Sequence, residues 1–406
     1  MSDSIQMERG VTDGERSKRR NSAHRCNVAL FIPTFDAGGA EGQALQLAKN
    51  INKEVYGVTV IALRGSGLLA DQFGAIPHVR SVTLECRNPA VAFGRLVAVL
   101  RKCNVHILHS FLTATHVYSL AARLARPSMK VVIGIRDSLE NVTFGYPTAG
   151  SRLKSRLLHW ILDQGSVLAD LAIVNSEAGT RNRAAKLEIR SVIVRNGIDA
   201  DVFRPDPAAR ERLRLELGIP GNSEMVGILA NCSPYKGYPN FIEAAKMVAD
   251  VLPNVHFVAI GNVNTLTGER ALRQVEELGL KSIFHFLGAR TAVWRLLPGL
   301  DVVCSASVTE AFSNAIAESM ACGVPCVVTD VGDSRYIVGQ TGIVVPPAKP
   351  KQLGLGIIRI LKLSVDERTR LGCEARQRIA EEFTVKRMTM LCQLEYDGLL
   401  SSSCGN

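Results

Sequence analysis

Short apolar runs alternate with amphipathic segments along most of the chain, and this alternation predicts strands and helices in turn. Seven apolar runs occur in the first half, at residues 27–34, 57–63, 81–84, 105–109, 131–135, 171–174 and 192–194. Helical patterns such as 41–50 and 90–102 separate most of them. Regular β–α alternation predicts a parallel, doubly wound sheet. Ligands of such sheets bind at the carboxyl ends of the strands.

A second series of apolar runs follows a connector rich in Asp and Pro at residues 199–207. Its runs are at 225–230, 255–260, 283–287, 301–305, 326–329 and 343–345. The pattern therefore predicts an α/β protein with two Rossmann-like domains that face a cleft. The predicted boundaries are a tail at 1–25, a first domain at 26–198, a connector at 199–224, a second domain at 225–380 and a terminal helix at 381–406.

The stretch from residue 310 to 330 predicts a loop, a short helix, a sharp stop and a buried strand. Ser313 or Asn314 can cap the start of the helix. Gly323 suits the left-handed position after its last turn, and Pro325 prevents continuation. The free N–H groups at the start of such a helix attract an anion, above all a phosphate.

Two glutamates lie near this predicted anion site. Glu310 precedes the helix, where we expect it to be too exposed to belong to the core, and Glu318 lies about one turn inside. A carboxylate on a helix that is otherwise built to be buried needs hydrogen-bond donors, and sugar hydroxyls are suitable ones. The pair is consistent with a site for a nucleotide sugar. The alternative is a helix with one capping and one surface glutamate.

Several motifs together resemble those of glycosyltransferase family 4, whose members are retaining enzymes with the two-domain GT-B fold. The donor-site motif of that family is similar to Glu310, seven residues, and Glu318 followed by MACGVPCVVTD. The other motifs occur in the family's usual order: GGAE at 38–41, NSEAG at 175–179, VRNGID at 194–199, PYKG at 234–237 and TGIVVPP at 341–347. The resemblance covers nearly everything after the first two dozen residues.

The resemblance implies transfer of a sugar from a nucleoside diphosphate sugar to a hydroxyl acceptor, which is expected to be a lipid-linked or growing glycan in cell-surface polysaccharide synthesis. It implies hexosyltransferase chemistry, no cofactor, and a terminal helix that crosses back to the first domain. The implied catalytic residues are Glu310, His109 and Lys236. The implied donor-binding residues are Asn231, Lys236, Glu310, Ala311, Phe312, Ser313, Asn314, Glu318, Gly38 and Gly39. Candidates on the acceptor side, from their places after predicted strands, are Arg136, Asp137 and His116.

One position departs from the family pattern. The family usually has an arginine where this chain has Asn231. Either the amide of Asn231 donates a hydrogen bond instead, or another cation such as Arg195 or Arg136 stabilises the diphosphate. The departure keeps a second function open, that of a non-catalytic subunit that binds a sugar nucleotide or a glycan.

The bulk composition narrows the classes of partner. The 406 residues carry a net charge of +10, which favours acidic partners such as diphosphates, anionic glycans or anionic lipid. Only 5% of residues are aromatic and they are not interleaved with the basic ones, so no nucleic acid is expected. The ten cysteines lack zinc-site spacing, and no acidic cluster resembles a metal–diphosphate clamp, so we expect no metal.

The sequence also predicts the cellular compartment and a candidate site of membrane contact. No apolar run reaches the ~20 residues of a membrane span, and no secretory signal follows the basic tail, so the cytoplasm is the expected compartment. Residues 151–164 have an apolar side with basic residues and a tryptophan nearby. The apolar side consists of Leu153, Leu157, Leu158, Ile161 and Leu162, and the accompanying residues are Arg152, Lys154, Arg156 and Trp160. This segment predicts either a basic helix on the anionic inner face of a membrane or a helix packed on its own sheet. The tail is either a second lipid contact or a solvated end.

Overall fold

The computed structural model describes residues 26–36, 38–136 and 149–401, which form two all-parallel sheets with helices on both faces. The predicted tail at 1–25 lies outside these residues. The α/β fold class with two doubly wound sheets, predicted from the sequence, is confirmed. Among the helices of these three segments, none is both long enough and apolar enough to cross a membrane.

The thirteen strands match the thirteen apolar runs of the sequence. The first sheet has the order β3-β2-β1-β4-β5-β6-β7 and the second has the order β10-β9-β8-β11-β12-β13. The strands are β1 Cys26–Ile32, β2 Tyr56–Ala62, β3 Val79–Thr83, β4 Ile107–Phe111, β5 Lys130–Ile135, β6 Leu171–Val174, β7 Ser191–Ile193, β8 Glu224–Leu229, β9 Val255–Ile260, β10 Phe284–Gly288, β11 Val302–Ser305, β12 Cys326–Thr329 and β13 Gly342–Val345. Central strands such as β4 and β12 are buried at every residue, as expected for parallel strands covered on both faces.

Helices connect the strands and cover the two sheets. They are α1 Gly39–Asn50, α2 Ala70–Gly74, α3 Pro89–Lys102, α4 Thr113–Ala125, α5 Ala149–Gly165, α6 Glu177–Gly179, α7 Ala185–Leu187, α8 Ala209–Leu217, α9 Tyr238–Val251, α10 Leu266–Glu277, α11 Asn314–Ala321, α12 Ser334–Val338, α13 Pro350–Leu361, α14 Val365–Glu382 and α15 Val385–Ser401. The predicted end of α11 is confirmed, because Gly323 has a φ of +76° directly after it.

The last helix returns to the first sheet. Met388, Cys392 and Tyr396 of α15 lie in the same core as β1 and β2. The chain therefore crosses between the sheets twice, and the two crossings lie side by side, where Ile198 bridges Thr384. The domain boundaries drawn from the sequence stay predictions.

Each sheet has one point at which the strand order reverses. In the first sheet it lies between β1 and β4, and in the second between β8 and β11. Loops leaving two such neighbouring strands diverge to opposite faces and leave a crevice at their carboxyl ends. The loop with Gly38 and Gly39 follows β1, the loop with Lys236 follows β8, and the loop with Glu310 follows β11. The topology therefore brings the main sequence motifs to the two crevices.

Candidate functional site

The loops after β8 and β11 pack directly on each other. The backbone N–H of Val308 donates to the carbonyl of Tyr235 at 2.8 Å. Gly237 has a φ of +67°, and a Cβ at that position would lie 1.9 Å from the carbonyl oxygen of Ala306. Only glycine meets both the conformation and the space, so this residue lets the PYKG loop close over β11.

Lys236 and Glu310 meet between these loops. The ammonium Nζ of Lys236 lies 2.6 Å from Oε1 and 2.9 Å from Oε2 of Glu310. Glu310 is 8% exposed, so the sequence-based expectation of an exposed carboxylate is wrong. The loop turns inward because its neighbour Ala311 accepts a hydrogen bond from the backbone of Asp333. A buried carboxylate is retained where a cation satisfies it, as Lys236 does here.

The start of α11 has unused donors beside this ion pair. Ser313 occupies the capping position, but its side chain makes no capping hydrogen bond. The N–H groups of Asn314, Ala315 and Ile316 have no acceptor among the residues that the structure describes. A small cavity lies here, lined by Lys236 and by the hydroxyl side chains of Ser305, Ser307 and Ser313. The arrangement offers a cation, hydroxyls and backbone donors to an anion.

Ala311 and Phe312, also predicted to bind the donor, have buried side chains. Ala311 is 4% exposed and Phe312 is 7% exposed, and the Phe312 ring packs on Phe383 with centroids 5.7 Å apart. Their side chains therefore belong to the core, and only their backbone can contact a ligand.

Glu318 lies one turn into α11 and is half-buried. No hydrogen bond to its carboxylate is found within the described part of the chain, and desolvation raises its pKa to about 7. A carboxylate in this state favours a ligand whose hydroxyls donate to it. The position is consistent with the donor-binding role that the resemblance implies for Glu318.

We expect binding of a nucleotide sugar to depend on the proton of Glu318. Hydroxyl donors stabilise the charged carboxylate, so a proton on Glu318 competes with the donor. With a pKa of about 7 in the empty protein, affinity is expected to fall about tenfold from pH 8 to pH 6. Calorimetry with a nucleotide sugar measures this, because its esterified phosphates do not titrate in that range. An equal pH slope in Glu318→Gln would contradict the assignment.

The first domain closes on this site through Gly39. The side-chain amide nitrogen of Asn314 lies 3.4 Å from the carbonyl oxygen of Gly39, and a Cβ on Gly39 would meet that nitrogen at 3.2 Å. Gly38 occupies the capping position of α1 and, because it has no side chain, it makes no capping hydrogen bond. Gly39 thus brings the backbone of the first domain against the start of α11.

Both histidines that the sequence placed near the cleft are buried. His109 is 0% exposed and its Nδ1 lies 2.6 Å from the hydroxyl of Tyr396, while His116 is 3% exposed and its Nδ1 lies 2.9 Å from the hydroxyl of Ser110. The expectation that His109 ends its strand is wrong, since β4 continues to Phe111, which pairs with Gly134 of β5. Burial, then the charge of Arg136, holds the pKa of His109 well below its usual range, so its ring is neutral.

Three more residues were predicted to belong to the site: Arg136, Asp137 and Asn231. Arg136 directly follows β5 and lies at the cleft, where its guanidinium donates to Asn196 at 2.6 Å. Asp137 lies outside the described residues. Asn231 is exposed, and its amide oxygen accepts from the backbone N–H of Asn262 at 2.8 Å, which leaves its amide nitrogen available to donate.

Two cross-domain contacts were missed by the sequence reasoning. Asn196 donates to Asn314 at 2.7 Å, and Asp333 accepts from Arg195 and from the backbone of Glu177, each at 2.9 Å. Asn196 lies within the VRNGID motif, which was the available signal, although nothing in it named the partner. No comparable signal marked Asp333.

Comparison with known proteins adds family matches to this geometry. Residues 37–202 match the model described as Glycosyltransferase Family 4, and residues 209–378 match Glycosyl transferases group 1. D-inositol 3-phosphate glycosyltransferases of Mycobacterium bovis and Mycobacterium tuberculosis are 29% identical over 245 residues, which is 58% of this chain and 48% of theirs. The matched region thus spans about half the length of these relatives.

Solved structures share the fold over nearly the whole chain. The Anabaena protein HepE in complex with UDP-glucose has a TM-score of 0.77 at 20% identity, covering 92% of this chain and 99% of its own. WaaG, a glycosyltransferase involved in lipopolysaccharide biosynthesis, has a TM-score of 0.71 at 17% identity, covering 90% and 99%. At this level of identity the likeness establishes the fold.

Proposed function

The chain belongs to glycosyltransferase family 4, within the group 1 glycosyltransferases, and from this premise we propose that it transfers a sugar from a nucleoside diphosphate sugar to a hydroxyl acceptor. The observation that carries the proposal is the Lys236–Glu310 pair beside the uncapped start of α11. Glu310 accepts hydrogen bonds from hydroxyls of the donor sugar. Lys236 and the N–H groups of α11 bind the diphosphate.

This arrangement stabilises the leaving group during transfer of the sugar. As the bond from the sugar to the diphosphate breaks, negative charge accumulates on the departing oxygen. A lysine and helix N–H groups that are already in place stabilise that charge without reorganising. The family implies front-side attack with retention, in which the acceptor oxygen bonds to the face that the diphosphate leaves and the hydroxyl proton passes to the diphosphate.

The comparisons suggest which donors to test first. HepE has been solved with UDP and with UDP-glucose, so a uridine diphosphate hexose is the first donor to examine. Lipid-linked or growing glycans are the acceptor class that we propose. The mycobacterial relatives are named for a phosphorylated inositol acceptor, which makes a phosphorylated polyol a second class for the same assay.

A thermal-shift screen of nucleotide sugars followed by a turnover assay tests the function. A true donor at 100 times its Kd stabilises the protein by roughly 2.7 kcal/mol. The enzyme is expected to release nucleoside diphosphate from that donor. Binding without any release, with every acceptor class supplied, would instead identify the non-catalytic subunit left open by Asn231.

Turnover is expected to persist in excess EDTA. Lys236 and the start of α11, together with a further cationic side chain at the cleft, supply the charge that a divalent ion would otherwise supply to the diphosphate. Among the described residues, no group of three or more His, Cys, Asp or Glu side chains could hold a metal ion. Loss of activity in EDTA that magnesium or manganese restores would refute metal independence.

We also propose that the first domain binds an anionic membrane surface through the apolar face of α5, made of Leu153, Leu157, Trp160 and Ile161. These side chains are 70%, 55%, 60% and 36% exposed, whereas the neighbouring Leu162 is buried. Exposed apolar residues at this helical spacing are typical of an interfacial helix. The side chains of Arg152, Lys154 and Arg156 lie outside those that the structure describes.

Vesicle sedimentation tests this surface. Wild-type protein is expected to bind vesicles with anionic lipid, and binding should weaken with salt because each nearby Lys or Arg contributes about 1 kcal/mol that salt screens. The double variant Leu157→Ser, Trp160→Ser should lose binding, whereas Leu266→Ser, Leu272→Ser on exposed positions of α10 should retain it. Equal binding by both double variants would exclude α5.

A further inference from the structure

The second domain alone has too little positive charge for a diphosphate. Its one lysine at the site, Lys236, is already paired with Glu310, so the pair is close to neutral. Asn231 is uncharged where the family pattern has an arginine. A nucleotide sugar brings two phosphate charges, and charged groups removed from water need compensation. The site therefore needs another cation.

Arg195, one of the two arginines that the sequence offered as substitutes, is already satisfied. Its Nε lies 2.9 Å from Asp333, its Nη2 lies 3.2 Å from Glu177, and its guanidinium stacks 3.8 Å from the centre of the Tyr336 ring. Releasing it would leave the buried carboxylate of Asp333 unpaired, which is costly. Arg195 holds the domains together and is not the missing cation.

Arg136, unlike Arg195, has no carboxylate partner within the described segments. Its guanidinium lies 5.0 Å from the centre of the Phe111 ring and donates to the neutral side chain of Asn196, and no acidic side chain pairs with it within the described segments. Its Nε is buried and has no hydrogen-bond partner there. Such a cation is expected to have an anion that binds beside it.

The position of Arg136 points to the donor site. Asn196 joins Arg136 to Asn314, with distances of 2.6 Å and 2.7 Å. Asn314 is the first residue of α11, whose free N–H groups are the proposed diphosphate site. Arg136 thus lies two hydrogen bonds from that site, across the cleft.

We propose that Arg136 is the cation that binds the donor diphosphate, supplied by the first domain in place of the family's arginine at position 231. This inference rests on the proposed function and assigns to the donor a residue that the sequence placed with the acceptor. Because Arg136 and α11 belong to different sheets, the charge reaches the diphosphate only when the cleft is closed. Stabilisation of the leaving group is thereby coupled to domain closure.

Calorimetry on Arg136→Gln tests the assignment, with Arg136→Lys and the exposed Arg101→Gln alongside. The probes are the nucleoside diphosphate that wild type binds best among those of uridine, guanosine and adenosine, and the matching nucleoside. Arg136→Gln is expected to weaken diphosphate binding about 10- to 100-fold, the usual range for a hydrogen bond to a charged group, and to leave nucleoside binding unchanged. Arg136→Lys should recover part of the loss, and Arg101→Gln should match wild type.

The melting temperature of the protein without ligand gives a second test. Removing a poorly solvated charge that has no acidic partner among the described residues should leave the melting temperature of Arg136→Gln equal to or above that of wild type. A lower melting temperature, unchanged diphosphate affinity, or equal losses for diphosphate and nucleoside would each overturn the assignment. If wild type binds no nucleoside diphosphate at all, the proposed function itself is wrong.

Discussion

Glu310→Gln is expected to reduce transfer at least a hundredfold while the protein remains folded. The carboxylate is 8% exposed beside the start of α11. In the proposed function it accepts hydrogen bonds from the sugar as charge develops. Loss of one such interaction in a transition state costs about 3 kcal/mol, which is a factor of a hundred or more in rate. The glutamine keeps the shape of the side chain and one oxygen for Lys236, so folding should survive.

A surface ion pair provides the matched control for this substitution. Glu276 lies 2.9 Å from Lys281, with both side chains exposed. Glu276→Gln should leave turnover and melting temperature unchanged, because exposed pairs contribute little. Wild-type turnover by Glu310→Gln, with a genuine donor and acceptor, would remove Glu310 from the site.

Lys236→Ala has the second-largest expected effect, and it acts on both binding and rate. In the proposed function the ammonium contacts phosphate in the substrate and in the product, so affinity for the free nucleoside diphosphate should fall about 10- to 100-fold. Transfer should fall further, because the developing charge of the leaving group loses a donor. Calorimetry measures the first effect and steady-state kinetics the second.

The variant Lys281→Ala is the control for the loss of a lysine from a Lys–Glu pair. If Lys236→Ala binds the diphosphate as wild type does, Lys236 serves only to neutralise Glu310. Combining Lys236→Ala with Glu310→Gln adds a separate check. Contacting residues of one site are not additive, so the double variant should lose less than the product of the two single losses.

The strands and the loops of the site could be predicted because their signals are local in the sequence. Each strand is a short apolar run between helical patterns, and parallel topology sends the loops with Lys236 and Glu310 to one end of the sheet. The burial of Glu310 could not be predicted, because it depends on the contact between Ala311 and Asp333. His109 was misplaced because the run Ile107–Phe111 contains two polar residues that a buried strand tolerates here.

Contacts between the domains could not be predicted from the sequence pattern. The Asn196–Asn314 hydrogen bond joins residues 118 positions apart and exists only when the cleft is closed. Periodicity reports which face of an element is apolar, but not which distant element covers it. The same limit explains α5, whose Leu162 is buried while Leu157 of the same predicted side stays exposed.

The most direct test of glycosyl transfer follows the anomeric proton of the donor by NMR in the presence of purified protein and acceptor. We expect the donor signal to decay, free nucleoside diphosphate to appear in equal amount, and the new glycoside to keep the anomeric configuration of the donor. Glu310→Gln should show no decay over the same period. A product of inverted configuration, or no consumption of any nucleotide sugar that binds, would contradict the assignment of a retaining transferase.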